Sequence, residues 1–139
     1  MMAKTIQVAF DCHDPDRLAT FWASALGYEK PEPPPGYDSW QIWAREQGLP
    51  ENAASAVEDP DGVGSRLYFQ HVPEGKTAKN RVHLDISVGG EPADEHRRLV
   101  DEEAERLVGL GAVKVRSVAE REEYFVNMLD PEGNEFDVQ

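Results

Sequence analysis

The segment LDPEGNEFDV, residues 129–138, reads as a tight turn followed by a short strand. Asp-Pro with a glycine two residues later is a turn signal, because proline favours the second position of a type I turn and glycine the fourth. After the turn, Glu135 and Asp137 alternate with Phe136 and Val138. Successive side chains of a strand point to opposite faces, so the two acids are predicted on one face and the two apolar residues on the other.

The same turn signal occurs in the first half of the chain, where residues 59–62 read DPDG. Each half is interpreted as a strand, a helix, a further strand and a pair of strands about this turn. The helix ends correspond as well, since residues 25–27 read ALG and residues 109–111 read GLG, and Gln7 matches His83. The repeat predicts a single α+β domain of two βαβββ modules, residues about 4–75 and about 80–139, related by pseudo-twofold symmetry.

Capping signals define the helices of both halves. Asp14 is a predicted N-cap with Pro15 at the first helical position, and Gly27 suits the helix end. Ser39 is expected to cap a short second helix, and apolar spacing predicts a helix from Pro92 to Leu110 in the second half. These helices would cover the apolar faces of the strands and leave the polar faces to a cleft or to solvent.

The charge balance restricts the possible partners. The 139 residues include 14 Lys and Arg against 27 Asp and Glu, a net charge of −13. Such a field repels phosphate backbones and anionic lipids, so we expect neither nucleic acid nor a membrane as partner. The single cysteine, Cys12, excludes a disulfide framework and is expected to be a small buried side chain. No signal peptide or membrane span is recognisable, which predicts a cytoplasmic location.

Three segments carry a resemblance to a known superfamily: DCHDPDRLATFWASALGYE at 11–29, RLYFQHVPEGKTAKNRVHLDI at 66–86, and LDPEGNEFDV at 129–138. In this order and spacing the chain resembles the vicinal oxygen chelate superfamily, which groups glyoxalases, bleomycin-resistance proteins and extradiol dioxygenases. Within it, the chain looks like the glyoxalase-like proteins common in actinobacteria. The resemblance covers nearly the whole chain. It implies a curved mixed sheet around a cleft that binds a small molecule, usually in a homodimer.

The resemblance also implies metal ligands on the inner face of the cleft. Carried over residue by residue, the ligand set is Gln7, Gln70, His83 and Asp137. A divalent Ni, Zn, Mn or Fe ion would be bound there, and His83, Asp85 and Asp137 would be the catalytic residues of a metal-dependent lyase or isomerase. Amide oxygens are weak ligands, so Asp85 and Glu135, on the same strand faces, are expected to compensate as ligands or as their hydrogen-bond partners.

Two interpretations without a metal remain open. In the first, the cleft sequesters a drug or metabolite without chemistry, and its acidic lining favours a cationic or polyhydroxylated compound. The hydrogen-bonding groups of this pocket would be Gln7, Gln70, His83, Asp85 and Asp137, and Trp40 and Trp43 would stack on a flat ligand. With or without a metal, the residues assigned to ligand contact are Asp11, Trp40, Trp43 and Glu135. In the second, His83 and Asp85 stand two apart on one strand face and form an acid–base pair for an isomerisation or epimerisation.

Overall fold

The computed structural model describes residues 1–139 as an α+β protein, which confirms the predicted fold class. In chain order the elements are β1 (Gln7–Cys12), α1 (Pro15–Leu26), α2 (Trp40–Glu46), β2 (Ala54–Val57), β3 (Arg66–His71), β4 (Leu84–Ile86), α3 (Ala93–Leu110), β5 (Val113–Glu120), β6 (Glu123–Leu129) and β7 (Glu135–Val138). The chain divides into two compact units, unit 1 at residues 1–75 and unit 2 at residues 76–139. None of the three helices has the length and apolar character that a membrane span requires.

Unit 1 is a three-stranded sheet in the order β1-β3-β2, with β3 parallel to β1 and antiparallel to β2. Helix α1 begins at Pro15 after the Asp14 cap and ends at Gly27, whose φ of 72° is the left-handed conformation that glycine accepts readily. Both limits confirm the prediction. The helix buries Trp22, whose ring centroid lies 5.6 Å from that of Phe10 on β1. Apolar burial between α1 and the sheet therefore forms the core of this unit.

One strand of the predicted first module is replaced by a loop and a short helix. Glu29 and Glu58 form an isolated antiparallel bridge where a further strand is expected. The prolines that follow, at positions 31 and 33–35, have no N–H donor and cannot continue a strand ladder. The chain enters α2 instead, and the Ser39 side chain caps this helix as predicted. Unit 1 therefore has the order βααββ rather than βαβββ.

Unit 2 has the predicted βαβββ order and forms a four-stranded sheet, β4-β7-β6-β5. Strands β4 and β7 are parallel, whereas β6 is antiparallel to both β7 and β5. Helix α3 packs on the sheet with Val100, Ala104 and Leu107 buried. Strand β4 spans only Leu84–Ile86, so His83 lies just before the strand rather than within it.

Matching turns precede β3 and β7, and they confirm the repeated turn signal. Asp59 begins the first turn and accepts three backbone N–H groups through its side chain. Asp130 begins the second turn and accepts two. Gly62 and Gly133 close the turns with φ values of 71° and 83°. The two turns differ in burial, because Asp130 is 2% exposed and Asp59 is partly exposed.

Candidate functional site

A row of polar side chains crosses the whole sheet of unit 2. Asp85 on β4 is in register with Asp137 on β7. Asn127 on β6 is in register with Asp137 on one side and with Arg116 on β5 on the other. The Asn127 Nδ2 donates to Asp137 Oδ1 at 2.5 Å, and the Arg116 Nε donates to Asn127 Oδ1 at 2.9 Å. We call these four residues the polar row.

His83 lies beside the β4 end of the polar row, next to Asp85. Its Nδ1 lies 2.9 Å from Asp85 Oδ1 and 3.9 Å from Asp137 Oδ2. One ligand atom from each of the three side chains lies within 4.8 Å of the others. The side chains are 39% (His83), 38% (Asp85) and 19% (Asp137) exposed, so a small molecule can reach them from solvent.

This group fits a divalent cation by its donor chemistry. Asp85 and Asp137 are paired in register on neighbouring strands, which lie about 4.8 Å apart, so their carboxylates repel each other. A cation between the carboxylates would remove that repulsion. One imidazole nitrogen and two carboxylate oxygens suit Zn, Mn, Fe or Ni, and three protein ligands leave coordination positions open. The group offers two negative charges, one more than the ligand set carried over from the superfamily.

The contact between His83 and Asp85 also gives Asp85 an orienting role. When Asp85 accepts a hydrogen bond from the Nδ1–H of His83, the tautomer is fixed and Nε2 is left as the free nitrogen. The same pair is the acid–base pair considered from the sequence, and the two side chains do make contact. The geometry therefore accommodates Asp85 either as a ligand or as the partner of a ligand.

The ligand residues carried over to unit 1 are engaged in hydrogen bonds there. Gln7 Oε1, the atom that would bind a metal, accepts from Arg66 Nη1 at 2.6 Å. Gln70 Nε2 donates to Asp11 Oδ1 at 2.6 Å. A guanidinium at the Gln7 oxygen opposes a second cation at the same atom, since like charges repel. Within unit 1, Gln7 is therefore a partner of Arg66, and Asp11 is a partner of Gln70.

Strand register explains why unit 1 has no matching carboxylate pair. Ala9 takes the place of Asp85 in the repeat. Ala9 is in register with Tyr68, whereas Asp85 is in register with Asp137. The two positions that carry acids in unit 2 thus carry a methyl group and a phenol in unit 1, and neither is a good ligand for a divalent cation.

Trp40 and Trp43, assigned to ligand contact from the sequence, pack edge to face within α2, with ring centroids 5.5 Å apart. The Trp40 Nε1 donates to the Pro31 carbonyl at 2.8 Å. This bond ties α2 to the proline-rich loop, and no residue of α2 is buried. Both aromatic rings remain available for contact, and their ligand-binding role stays a prediction.

Glu135, the fourth residue assigned to ligand contact, belongs to a structural tether. Its carboxylate accepts from the Lys76 ammonium and from the Asn80 N–H, each at 3.0 Å. Burial acts to raise the pKa of Glu135, but the Asn80 N–H and the Lys76 ammonium outweigh it and lower the pKa from 4.5 to about 2. Glu135 therefore stays ionised and holds the segment before β4 against β7.

Sequence reasoning missed Asn127 and Arg116. The alternation of EYFVNML places Asn127 on the face opposite the buried Val126 and Met128, and this pattern could have revealed it. Arg116 had no such signal, because a register shift between Lys114 and Arg116 breaks the alternation of β5.

The fold and the imidazole–carboxylate group together define an α+β protein of repeated strand–helix modules with a candidate divalent-metal site. The chain belongs to the glyoxalase-like domain family, whose model matches residues 7–139. A search among curated proteins gave no match.

Several solved structures have a similar fold. An enzyme of the glyoxalase/bleomycin resistance/dioxygenase family from Burkholderia phytofirmans PsJN is 14% identical, with a TM-score of 0.65 over 95% of this chain and 94% of that one. A possible glyoxalase from Bacillus cereus is 17% identical, with a TM-score of 0.65 over 99% of each chain. A mutant of the fosfomycin resistance protein FosX from Listeria monocytogenes, in complex with Mn(II) and a dihydroxypropylphosphonic acid, is 13% identical, with a TM-score of 0.65 over 100% of this chain and 90% of that one. At these identities the likeness shows the shared fold.

Proposed function

We propose that this protein binds a small molecule at a divalent metal held by His83, Asp85 and Asp137, and that it acts as a glyoxalase-like lyase or isomerase. The observation that carries the proposal is the approach of these three side chains, whose ligand atoms lie within 4.8 Å of one another. The structural neighbour from L. monocytogenes, solved with Mn(II), supports a metal of this kind. Ni, Zn, Mn and Fe are the candidate ions, because all accept an imidazole with two carboxylates.

A bound divalent metal would supply a Lewis acid that polarises an oxygen of the ligand. The chain's own groups would hold the site in shape. Asn127 binds Asp137 Oδ1, so that Oδ2 is the oxygen left facing His83. Before an ion binds, the contact of Asp85 Oδ1 with Nδ1 at 2.9 Å holds the His83 ring, and with Asp85 as a ligand the ion would replace the proton between these two atoms. The ligand residues are thus held by neighbours before any ion arrives, which favours binding because less side-chain freedom is lost.

Metal titration tests the proposal. Protein stripped of metal is titrated with Mn(II), Ni(II), Zn(II) and Fe(II), with the variants His83→Ala and Asp137→Ala alongside. We expect about one ion per chain in the unchanged protein and none in either variant, because each variant leaves only two of the three protein ligands. Gln7→Ala is the matched control, since the Gln7 oxygen is bonded to Arg66 and its loss should leave binding unchanged.

Thermal unfolding supplies a second readout. A ligand at about 100 times its Kd stabilises the folded state by about 2.7 kcal/mol. For a chain of this length, that gain raises the Tm by about 8 to 10 °C. The shift should vanish in His83→Ala and persist in Gln7→Ala. Failure of all four metals to bind the unchanged protein would refute the metal centre.

A metal-free binding protein is the second candidate function. The observation that favours it is the Arg66–Gln7 bond, which occupies an atom of the ligand set carried over from the superfamily. In this case the polar row would hydrogen-bond a polar or cationic compound directly. Saturable binding of such a compound to metal-stripped protein, unaffected by a chelator and without turnover, would select this candidate over the first.

We also infer that the protein is a homodimer, because the superfamily resemblance implies one. The chain mass is 15.6 kDa, so size-exclusion chromatography with light scattering separates a monomer from a dimer clearly. A mass of one chain at all concentrations tested would contradict this inference.

A further inference from the structure

A β-bulge decides which side chain of β5 joins the polar row. Lys114 is in register with Met128, and Arg116 is in register with Asn127, so Val115 is the extra residue between them. In a regular ladder the residue after Lys114 would lie opposite Asn127, and that residue is Val115. Bulges re-aim side chains and are frequent next to functional sites. Because of the bulge, Arg116 rather than Val115 joins the polar row.

The Arg116 guanidinium is held in place but retains binding capacity. Its Nε donates to Asn127 Oδ1 at 2.9 Å, which fixes the plane of the group. The chain's ion pairs do not include Arg116, although the protein carries 27 acidic residues. The two remaining nitrogens of the fork are the ones that bind a carboxylate or phosphate in paired fashion. Arg116 therefore differs from an ordinary exposed arginine on a strand, because the bulge sets its position and the hydrogen bond to Asn127 holds its side chain.

We propose that Arg116 is the subsite for an anionic group of the ligand whose other end binds at His83, Asp85 and Asp137. Two strand spacings separate Asp137 from Arg116 along the row, a span of about 10 Å. The ligand class is therefore an elongated molecule with metal-chelating oxygens at one end and a carboxylate, phosphate or sulfonate at the other. This inference rests on the proposed metal centre and adds the substrate class to it.

Two hydroxamates form a matched pair of probes. Suberic acid monohydroxamate has a chelating head and a terminal carboxylate on a chain of about the required length, and octanohydroxamate lacks the carboxylate. Binding of each to the Mn(II)-loaded protein is measured by calorimetry. We expect the carboxylate probe to bind about tenfold more tightly or better, the effect of one charge-assisted hydrogen bond. Rising salt should reduce the preference, because it screens exposed charges.

Three variants test whether Arg116 is responsible for the preference for the carboxylate probe. Arg116→Ala should abolish the preference, whereas Lys114→Ala, which removes a cation in register with Met128, should retain it. The exchange Val115→Arg with Arg116→Val keeps the composition and net charge but moves the cation onto the bulge residue. We expect the preference to be lost in this exchange, since position rather than charge carries the effect.

The outcomes separate this inference from the proposed function. Equal affinity of the two hydroxamates for the unchanged protein would overturn the Arg116 subsite and leave the metal centre standing. A preference that survives Arg116→Ala or the exchange variant would do the same. Absence of Mn(II) binding, or of hydroxamate binding to the loaded protein, would overturn the metal centre and the subsite with it.

Discussion

Replacement of Asp130 by alanine tests whether the turn before β7 stabilises the sheet that carries Asp137. Asp130 is 2% exposed, and its Oδ1 accepts the N–H groups of Glu132 and Asn134 at 2.9 and 3.0 Å. The Asn134 side chain donates to the same carboxylate. Asp130→Ala leaves these donors without their acceptor in a partly buried turn.

The expected loss of unfolding free energy follows from the number of N–H donors that are left without an acceptor. Each buried donor left unsatisfied costs about 1–3 kcal/mol, so two backbone N–H groups in a partly buried turn cost about 3 kcal/mol. The matched control is Asp59→Ala, at the equivalent turn of unit 1, whose side chain also accepts backbone N–H groups. Residues 60–64 are exposed, so water replaces the lost acceptor and the cost falls to about 1 kcal/mol.

Urea unfolding followed by far-ultraviolet circular dichroism measures both losses. This signal is needed because Trp22, Trp40 and Trp43 all lie in unit 1, and tryptophan fluorescence would not report on unit 2. Equal losses for the two variants, or a larger loss for Asp59→Ala, would refute the reasoning from burial.

Two further predictions concern the supports of the site, and a third concerns packing in unit 1. Because folding lowers the pKa of Glu135 from 4.5 to about 2, its contribution to stability is present above pH 4.5 and lost as the pH falls towards 2; unfolding free energies measured across this range should fall less steeply in Glu135→Gln. Asn127→Ala should weaken metal binding about 10- to 100-fold, because Asp137 loses the donor that holds it; unchanged affinity in a metal titration would contradict this role. A Cβ on Gly64 would lie 2.0 Å from the Tyr28 hydroxyl, so Gly64→Ala should lower the Tm, and Tyr28→Phe in the same chain should restore part of it.

Local signals predicted most of the secondary structure. The Asp14 cap, the proline after it and Gly27 set the limits of α1, and each acts through its own backbone angles and its nearest neighbours. The two Asp-Pro turns were predicted by local signals as well, since each is held by the side chain of its own aspartate. The proline-rich loop shows the limit of reasoning from the repeat, because prolines that block a ladder override the strand expected from the second module.

The candidate site was predicted in part. His83 and Asp137 were identified through the superfamily resemblance, and Asp85 through strand parity, and the structure brings these three together. Parity states which face a side chain occupies, but not which residue of another strand lies beside it. That pairing depends on register, which is decided between segments far apart in the chain.

Alternation, capping and turn chemistry thus predicted most elements of this protein and the polar faces of β1, β4 and β7, because these properties depend on short-range sterics and hydrogen bonds. Tertiary structure alone decided that Asp85 lies opposite Asp137, that Arg66 occupies the Gln7 oxygen, and that a bulge brings Arg116 to Asn127. Each of these depends on long-range strand pairing, in which a shift of one residue would place a different side chain at the site.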